Sequence, residues 1–219
     1  MELTPIEVRV LGVLVEKDRT TPDSYPLTTN SLVNACNQKT SRHPVMTVSS
    51  AEVDATMLLL RDAKLARTVR GVSERTYKHR HTFQEALSLD DEQIAVLAVL
   101  MLRGAQSPGE LRTRTERYIS FADLAAVERA LGHLASRDEP LVRNVGRASG
   151  QSQDRWIHLL LDDDAPIPEP VPAPEPSPGV APALVVGTDE VAALRAEVVE
   201  LTRLVERLYG ELGIGFDTE

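Results

Sequence analysis

Two passes through one order of elements, helix, helix, helix, strand, turn, strand, occupy the first 161 residues. A proline-rich acidic stretch and one heptad-patterned segment follow. A helix-turn-helix followed by a two-stranded hairpin is the order of a winged helix. The predicted fold class is therefore α+β, mainly α. Two tandem winged-helix domains span 1–83 and 84–161, a Pro-rich acidic linker spans 162–187, and a C-terminal coiled-coil helix spans 188–213.

The first lobe opens with TPIEVRVLGVLVEKD, where Thr4 and Glu7 make a capping box and Pro5 falls at the first helical position. Val10, Leu11, Leu14 and Val15 recur at helical spacing. A second start lies at Thr28 (TTNSLVNACNQ), with Leu32, Val33 and Cys36 on one side, and a third at Ser49, with Glu52 three residues on. KLARTVR and RTYKHRHTF then read as strands around the turn GVSE. The two-residue period places Leu65 and Val69 on one face of the first strand, and Tyr77 and Phe83 on that of the second. Arg70, Lys78 and Arg80 are then expected to point outward together.

The second lobe repeats the pattern. Ser88 is the expected start of SLDDEQIAVLAVLMLRG, which Gly104 ends in the αL stop position. Ser107, Pro108 and Glu110 form another capping box, and Ser120 is the expected start of SFADLAAVERALGHLAS. LVRNVGR and DRWIHLLL flank the turn ASGQSQ, and Tyr77-x-His79 answers Trp156-x-His158. Thr28 to Ser49 is 21 residues against 13 for Ser107 to Ser120. The first lobe's excess holds ACNQKTSRHPVM, residues 35–46, which reads as an enlarged exposed turn between the second and third helices.

Three stretches carry a family resemblance. VRVLGVLVEKDRTTPDSYPLTTNSLVNACNQKTSRHPVM closely resembles the N-terminal signature of the YceH-like proteins, an uncharacterised bacterial family. LMLRGAQSPGELRTRTERY and VRNVGRASGQSQDRWIHLL resemble that family's second-domain motifs. The resemblance covers about residues 4–161 and implies a tandem winged-helix fold. It implies no activity.

DDDAPIPEPVPAPEPSPGVAP holds eight of the fourteen prolines, a composition that favours an extended polyproline spacer over a core. Beyond it Val191, Leu194, Val198, Leu201, Val205, Leu208 and Leu212 step by three and four residues. Val at a with Leu at d favours a parallel dimer, so self-association through this helix is expected. Leu204 and Tyr209 widen its apolar face, which leaves a higher oligomer or another partner open, as does packing back on the same chain.

The net charge of −9 is unevenly spread. Residues 1–83 carry 12 Lys and Arg against 9 Asp and Glu, residues 84–161 carry 9 against 11, and residues 162–219 carry 3 against 13. The acid belongs to the tail. The N-terminus MELTPIEV lacks the charged and apolar regions of a signal peptide, and IAVLAVLML is too short to span a membrane. One cysteine allows no intrachain disulfide and fits a cytoplasmic protein.

No enzyme class is favoured. Cys36 continues the apolar side of a helix and reads as a buried, inert thiol. His79 and His81 share a strand face, but none of the five histidines has partners at metal-ligand spacing. No Gly-rich phosphate loop or cofactor signature occurs, so neither metal, cofactor nor catalytic residue is expected. The third helices begin with acid, Glu52 and Asp54 in the first lobe and Asp123 in the second, which argues against reading a major groove. The first hairpin is instead basic. Arg70, Arg75, Lys78 and Arg80, with Lys39 and Arg42 from the loop, form either a phosphate-contact surface for DNA of low sequence specificity or a solvated basic face. The other reading is a protein-interaction scaffold with an unknown protein partner and no direct DNA contact.

Overall fold

A computed structural model describes residues 2–70, 76–147 and 153–161. The first half runs α1 (Pro5–Thr20), a short 3-10 turn, β1 (Leu27–Thr28), α2 (Thr29–Cys36), α3 (Ser50–Asp62), β2 (Ala66–Val69) and β3 (Lys78–His81). A one-turn α4 (Phe83–Ala86) leads into α5 (Asp91–Arg103), α6 (Pro108–Thr115), α7 (Leu124–Ala135), β4 (Val142–Gly146) and β5 (Arg155–His158). The fold is helix-rich α+β, with small antiparallel sheets. Among the described residues no helix is long and apolar enough to cross a membrane. The heptad residues Val191 to Leu212 and the hairpin residue Arg75 lie outside the described residues.

Local sequence explains most helix starts. Thr4 and Glu7, Ser49 and Glu52, and Ser107 and Glu110 close reciprocal capping boxes, and the Thr28 hydroxyl accepts from the Ser31 amide. Two expected starts are corrected. Asp90, with Gln93, caps α5, and Ser88 lies upstream at φ 51°. Asp123 caps α7, accepting from the Ala126 amide, so Ser120 lies in the connection. In both cases a carboxylate nearer the apolar run took the role given to an upstream serine, and its charge also suits the positive helix end.

Three further differences concern the strands. β1, unread in the sequence, adds a third strand in the order β1-β3-β2, pairing Leu27 with His79. Gln106 plays the same part in the second half, exchanging backbone hydrogen bonds with Trp156 at 3.0 and 2.8 Å. His79 is thus the counterpart of Trp156, two residues from the expected match. The strand ending RTYKHRHTF is also shorter than expected, since Phe83 turns into α4 and is fully buried.

The two halves share one apolar cluster. α5 is buried from Ile94 to Leu102, as an all-apolar helix must be, and α1 is buried from Val8 to Val15. These central helices pack on each other, and at Gly12 the absence of a Cβ leaves room for Leu102 and Met101. A Cβ there would meet the Leu102 side chain at 3.1 Å. Leu3 donates its amide to the Leu160 carbonyl at 2.8 Å, closing the N-terminus onto the end of the second half.

Candidate nucleic-acid interface

The register of the first hairpin fixes which cations share a face. Arg67 stands opposite Arg80, Val69 opposite Lys78, and Thr68 opposite His79. Directly opposed residues of an antiparallel pair point the same way. The solvent face therefore carries Arg67, Val69, Lys78 and Arg80, and the inner face carries Ala66, Thr68, His79 and His81. This corrects the expected phase of the first strand. Lys64, at φ 60°, breaks the chain after α3, and the strand begins with Ala66 buried rather than with Leu65 setting the inner face. Arg67 consequently joins Lys78 and Arg80. Arg70 lies past the end of β2, with its guanidinium 5.5 Å over the Tyr77 ring.

A polar chain holds the inner face to the helices. The Thr29 hydroxyl donates to Asp54 at 2.8 Å and lies 3.0 Å from His79 Nε2, while the Thr68 hydroxyl lies 3.2 Å from Nδ1. Because the Thr29 proton goes to Asp54, Nε2–H donates to Thr29 and Nδ1 accepts from Thr68. Burial lowers the His79 pKa, against the opposing pull of Asp54, which suits this neutral tautomer. Next to it, Asp18 lies 3.2 Å from His81 Nε2, and the Tyr25 hydroxyl accepts the His81 amide at 2.7 Å. Among the described residues no group of three or more His, Cys, Asp or Glu is placed to hold a metal ion.

Between α2, α3 and this hairpin lies an open groove of about 780 Å³. Its wall includes Met57, Leu58, Arg61, Asp54 and Tyr77. Leu58 is 51% exposed, Leu59 56% and Tyr77 57%, so α3 presents leucines where a groove-reading helix would present donors. Tyr77, expected on the face of Phe83, is exposed, whereas Phe83 is fully buried. Tyr77 precedes the first residue of β3, Lys78, and so lies outside the paired strand.

The loop after α2 is a joint rather than an exposed turn. Lys39 is exposed, but the Arg42 side chain is fully buried. Arg42 donates to the Ala35 carbonyl at 3.1 Å, the Ser41 carbonyl at 3.0 Å, and both carboxylate oxygens of Glu16, at 3.1 and 2.5 Å. It is thereby removed from any phosphate surface. Arg9, 2% exposed, donates to the carbonyls of Cys36 and Pro44. Burial and the nearby Arg42 charge push its pKa down to about 10. The Asn37 amide closes the loop, donating to the Val48 carbonyl and accepting the Val48 amide, both at 2.8 Å.

The second half completes this joint. Arg103 donates to the Ser41 hydroxyl at 2.6 Å, His43 donates its amide to the Leu102 carbonyl at 2.8 Å, and the Tyr118 hydroxyl donates to Glu16 at 3.2 Å. Burial alone would raise the Glu16 pKa. The hydrogen bonds and charge of Arg42, with Lys17 and Tyr118, hold it below the ordinary carboxylate value. Cys36 is wholly buried, and burial pushes its thiol up to about 12. The protonated thiol is no nucleophile at neutral pH.

A family profile described as "Protein of unknown function, DUF480" matches residues 3–151. A UPF0502 protein of Burkholderia pseudomallei (strain 668) is 43% identical over 214 residues, covering 97% of this chain and 90% of its own. A UPF0502 protein of Burkholderia multivorans is 43% identical over 223 residues, covering 99% and 92%. A third, of Cupriavidus taiwanensis, is 42% identical over 218 residues, covering 98% and 89%.

Proposed function

Since the chain belongs to the DUF480 family of bacterial proteins of unknown function, a membership that fixes no activity, we propose its role from its surface: a non-enzymatic, cytoplasmic nucleic-acid-associated protein. In this reading the two halves are tandem winged-helix lobes, and the first lobe's hairpin grips phosphates without reading sequence. The C-terminal heptads pair two copies. One observation carries the proposal. Arg67 and Arg80 stand directly opposite each other on the solvent face, with Lys78 beside them. Like charges at such a position weaken a hairpin, and an anion lying across both turns that repulsion into binding.

Each phosphate neutralised adds about −0.9 to the slope of log affinity against log salt. Arg67, Lys78 and Arg80, with Arg70 and Arg61 at the groove, supply three to five contacts and a slope of roughly −3 to −4.5. Fluorescence anisotropy on duplex DNA across a salt series measures it. The double reversal Arg67→Glu with Arg80→Glu weakens binding to all sequences alike, because phosphate contacts carry no sequence information. Binding indifferent to that reversal, or no binding at low salt, would refute the proposal.

A second reading rests on the exposed Leu58 and Leu59 of α3. An apolar patch on an otherwise polar surface marks a protein contact, as in tandem winged-helix subunits of chromosome-organising complexes. Pull-down from a bacterial lysate separates the two: partners that survive nuclease favour the scaffold.

A further inference from the structure

We propose that the groove between α2, α3 and the first hairpin holds an unpaired nucleobase, so that the nucleic acid gripped by the hairpin is single-stranded there. The proposal rests on the nucleic-acid reading above and names the form of the ligand. The groove, open to solvent, has the volume of small-molecule sites, about 780 Å³ against roughly 300–1,000 Å³, without their enclosure. Its lining combines the aromatic ring of Tyr77 with the apolar side chains of Met57 and Leu58. An aromatic face with an aliphatic neighbour is the surface on which a splayed base stacks. Tyr77 stands at the mouth, 57% exposed, with the Arg70 guanidinium over its ring. That contact orients the ring and puts a cation where the backbone of a stacked nucleotide would run.

Asn30 and Asp54 also line the groove. An amide and a carboxylate offer donors and acceptors to the edge of a base whose Watson–Crick groups are unpaired. Asp54 is held in place by the Thr29 hydroxyl, which His79 fixes in turn. A duplex meets the same surface badly. Glu52 and Asp54 open α3, and Leu58 and Leu59 are exposed further along it, so a helix laid in a major groove would present carboxylates to phosphates and leucines to base edges. A single strand uses both features, with its backbone near Arg61 and Arg70 and one base turned inward onto Tyr77 and Leu58.

The test is fluorescence anisotropy at low salt, using the full chain with a labelled single strand and a duplex of equal length. Wild type binds the single strand about tenfold more tightly than the duplex. Tyr77→Ala removes that preference and leaves duplex affinity within about twofold, while Tyr77→Trp, which keeps a stacking face, retains it. Thermal melts of both variants match wild type, since Tyr77 is exposed. Equal affinity for the two forms, or single-strand binding unmoved by Tyr77→Ala, overturns the inference and leaves the phosphate-gripping hairpin standing. Failure to bind either form overturns both and gives the Leu58–Leu59 face to a protein partner.

Discussion

Replacing Arg42 by methionine tests the joint between the two halves. The substitution preserves a long side chain and removes four hydrogen bonds at once, two to backbone carbonyls and two to Glu16. It leaves the Glu16 carboxylate, 13% exposed, with the Tyr118 hydroxyl at 3.2 Å and the Lys17 ammonium at 3.7 Å. Removing one partner of a buried ion pair costs about 3–5 kcal/mol. Lys17 and the residual exposure put this case near the lower end, about 3 kcal/mol. For a folded unit of this size each kcal/mol moves Tm by about 2–4 °C, so Tm falls by about 6–12 °C at pH 7.

Differential scanning calorimetry gives the value, and Glu16→Leu with the double variant completes the cycle. The double variant loses less than the sum of the singles, because neither charge is then left unpaired. The folded Glu16 carboxyl titrates below its unfolded value. Its stabilising contribution is therefore complete above the unfolded carboxylate pKa of about 4.3 and lost as pH falls further. The gap between wild type and Arg42→Met must accordingly narrow in acid. A Tm change under about 2 °C at pH 7, or strict additivity in the cycle, would refute the claim that this pair ties the loop to α1.

Other outcomes follow from single features. Gly12→Val drives methyl groups into Leu102, already 3.1 Å from a Cβ at that position, and costs about 1–3 kcal/mol in urea unfolding. Burial lowers the His158 pKa from 6.5 to about 4, so stability falls as pH drops from 6.5 towards 4, and His158→Gln flattens that part of the profile. On the proposed pairing of two copies through the C-terminal heptads, Leu201→Glu places an unpaired charge in the seam and converts a dimer to a monomer in sedimentation equilibrium. On the proposed nucleic-acid role, deleting residues 162–219 removes ten net negative charges and tightens DNA binding at low salt.

What the sequence made legible was local. A threonine or serine three residues before a glutamate marks a helix start because both hydrogen bonds close within one turn, and three such pairs are where they were read. Ser88 and Ser120 misled because Asp90 and Asp123, closer to the apolar run, cap the helices there, accepting from the Gln93 and Ala126 amides. The phase of β2 misled for a related reason. A period of two predicts faces only once the first strand residue is known, and Lys64 at φ 60° sets that residue at Ala66. One residue of phase moved Arg67 onto the basic face and put Arg70 with Tyr77.

The loop of residues 35–46 was illegible for a deeper reason. Its density of cations, amides and hydroxyls looks the same whether those groups face water or one another. Their partners lie far away in sequence: Glu16 is 26 residues from Arg42, Arg103 is 62 from Ser41, and Arg9 reaches 35 residues to Pro44. No periodicity links such positions. A buried arginine is expensive unless every donor is satisfied, so a loop that buries Arg42 must gather carbonyls and a carboxylate around it, and it then looks chemically rich. The same requirement explains why this loop exceeds its counterpart in the second half. It lies where α1, α5 and the segment after α6 come together, and the extra residues tie Arg42 to α1 and both Ser41 and His43 to α5. The same α1 packs against β3, so the joint also steadies one strand of the hairpin proposed to hold phosphates.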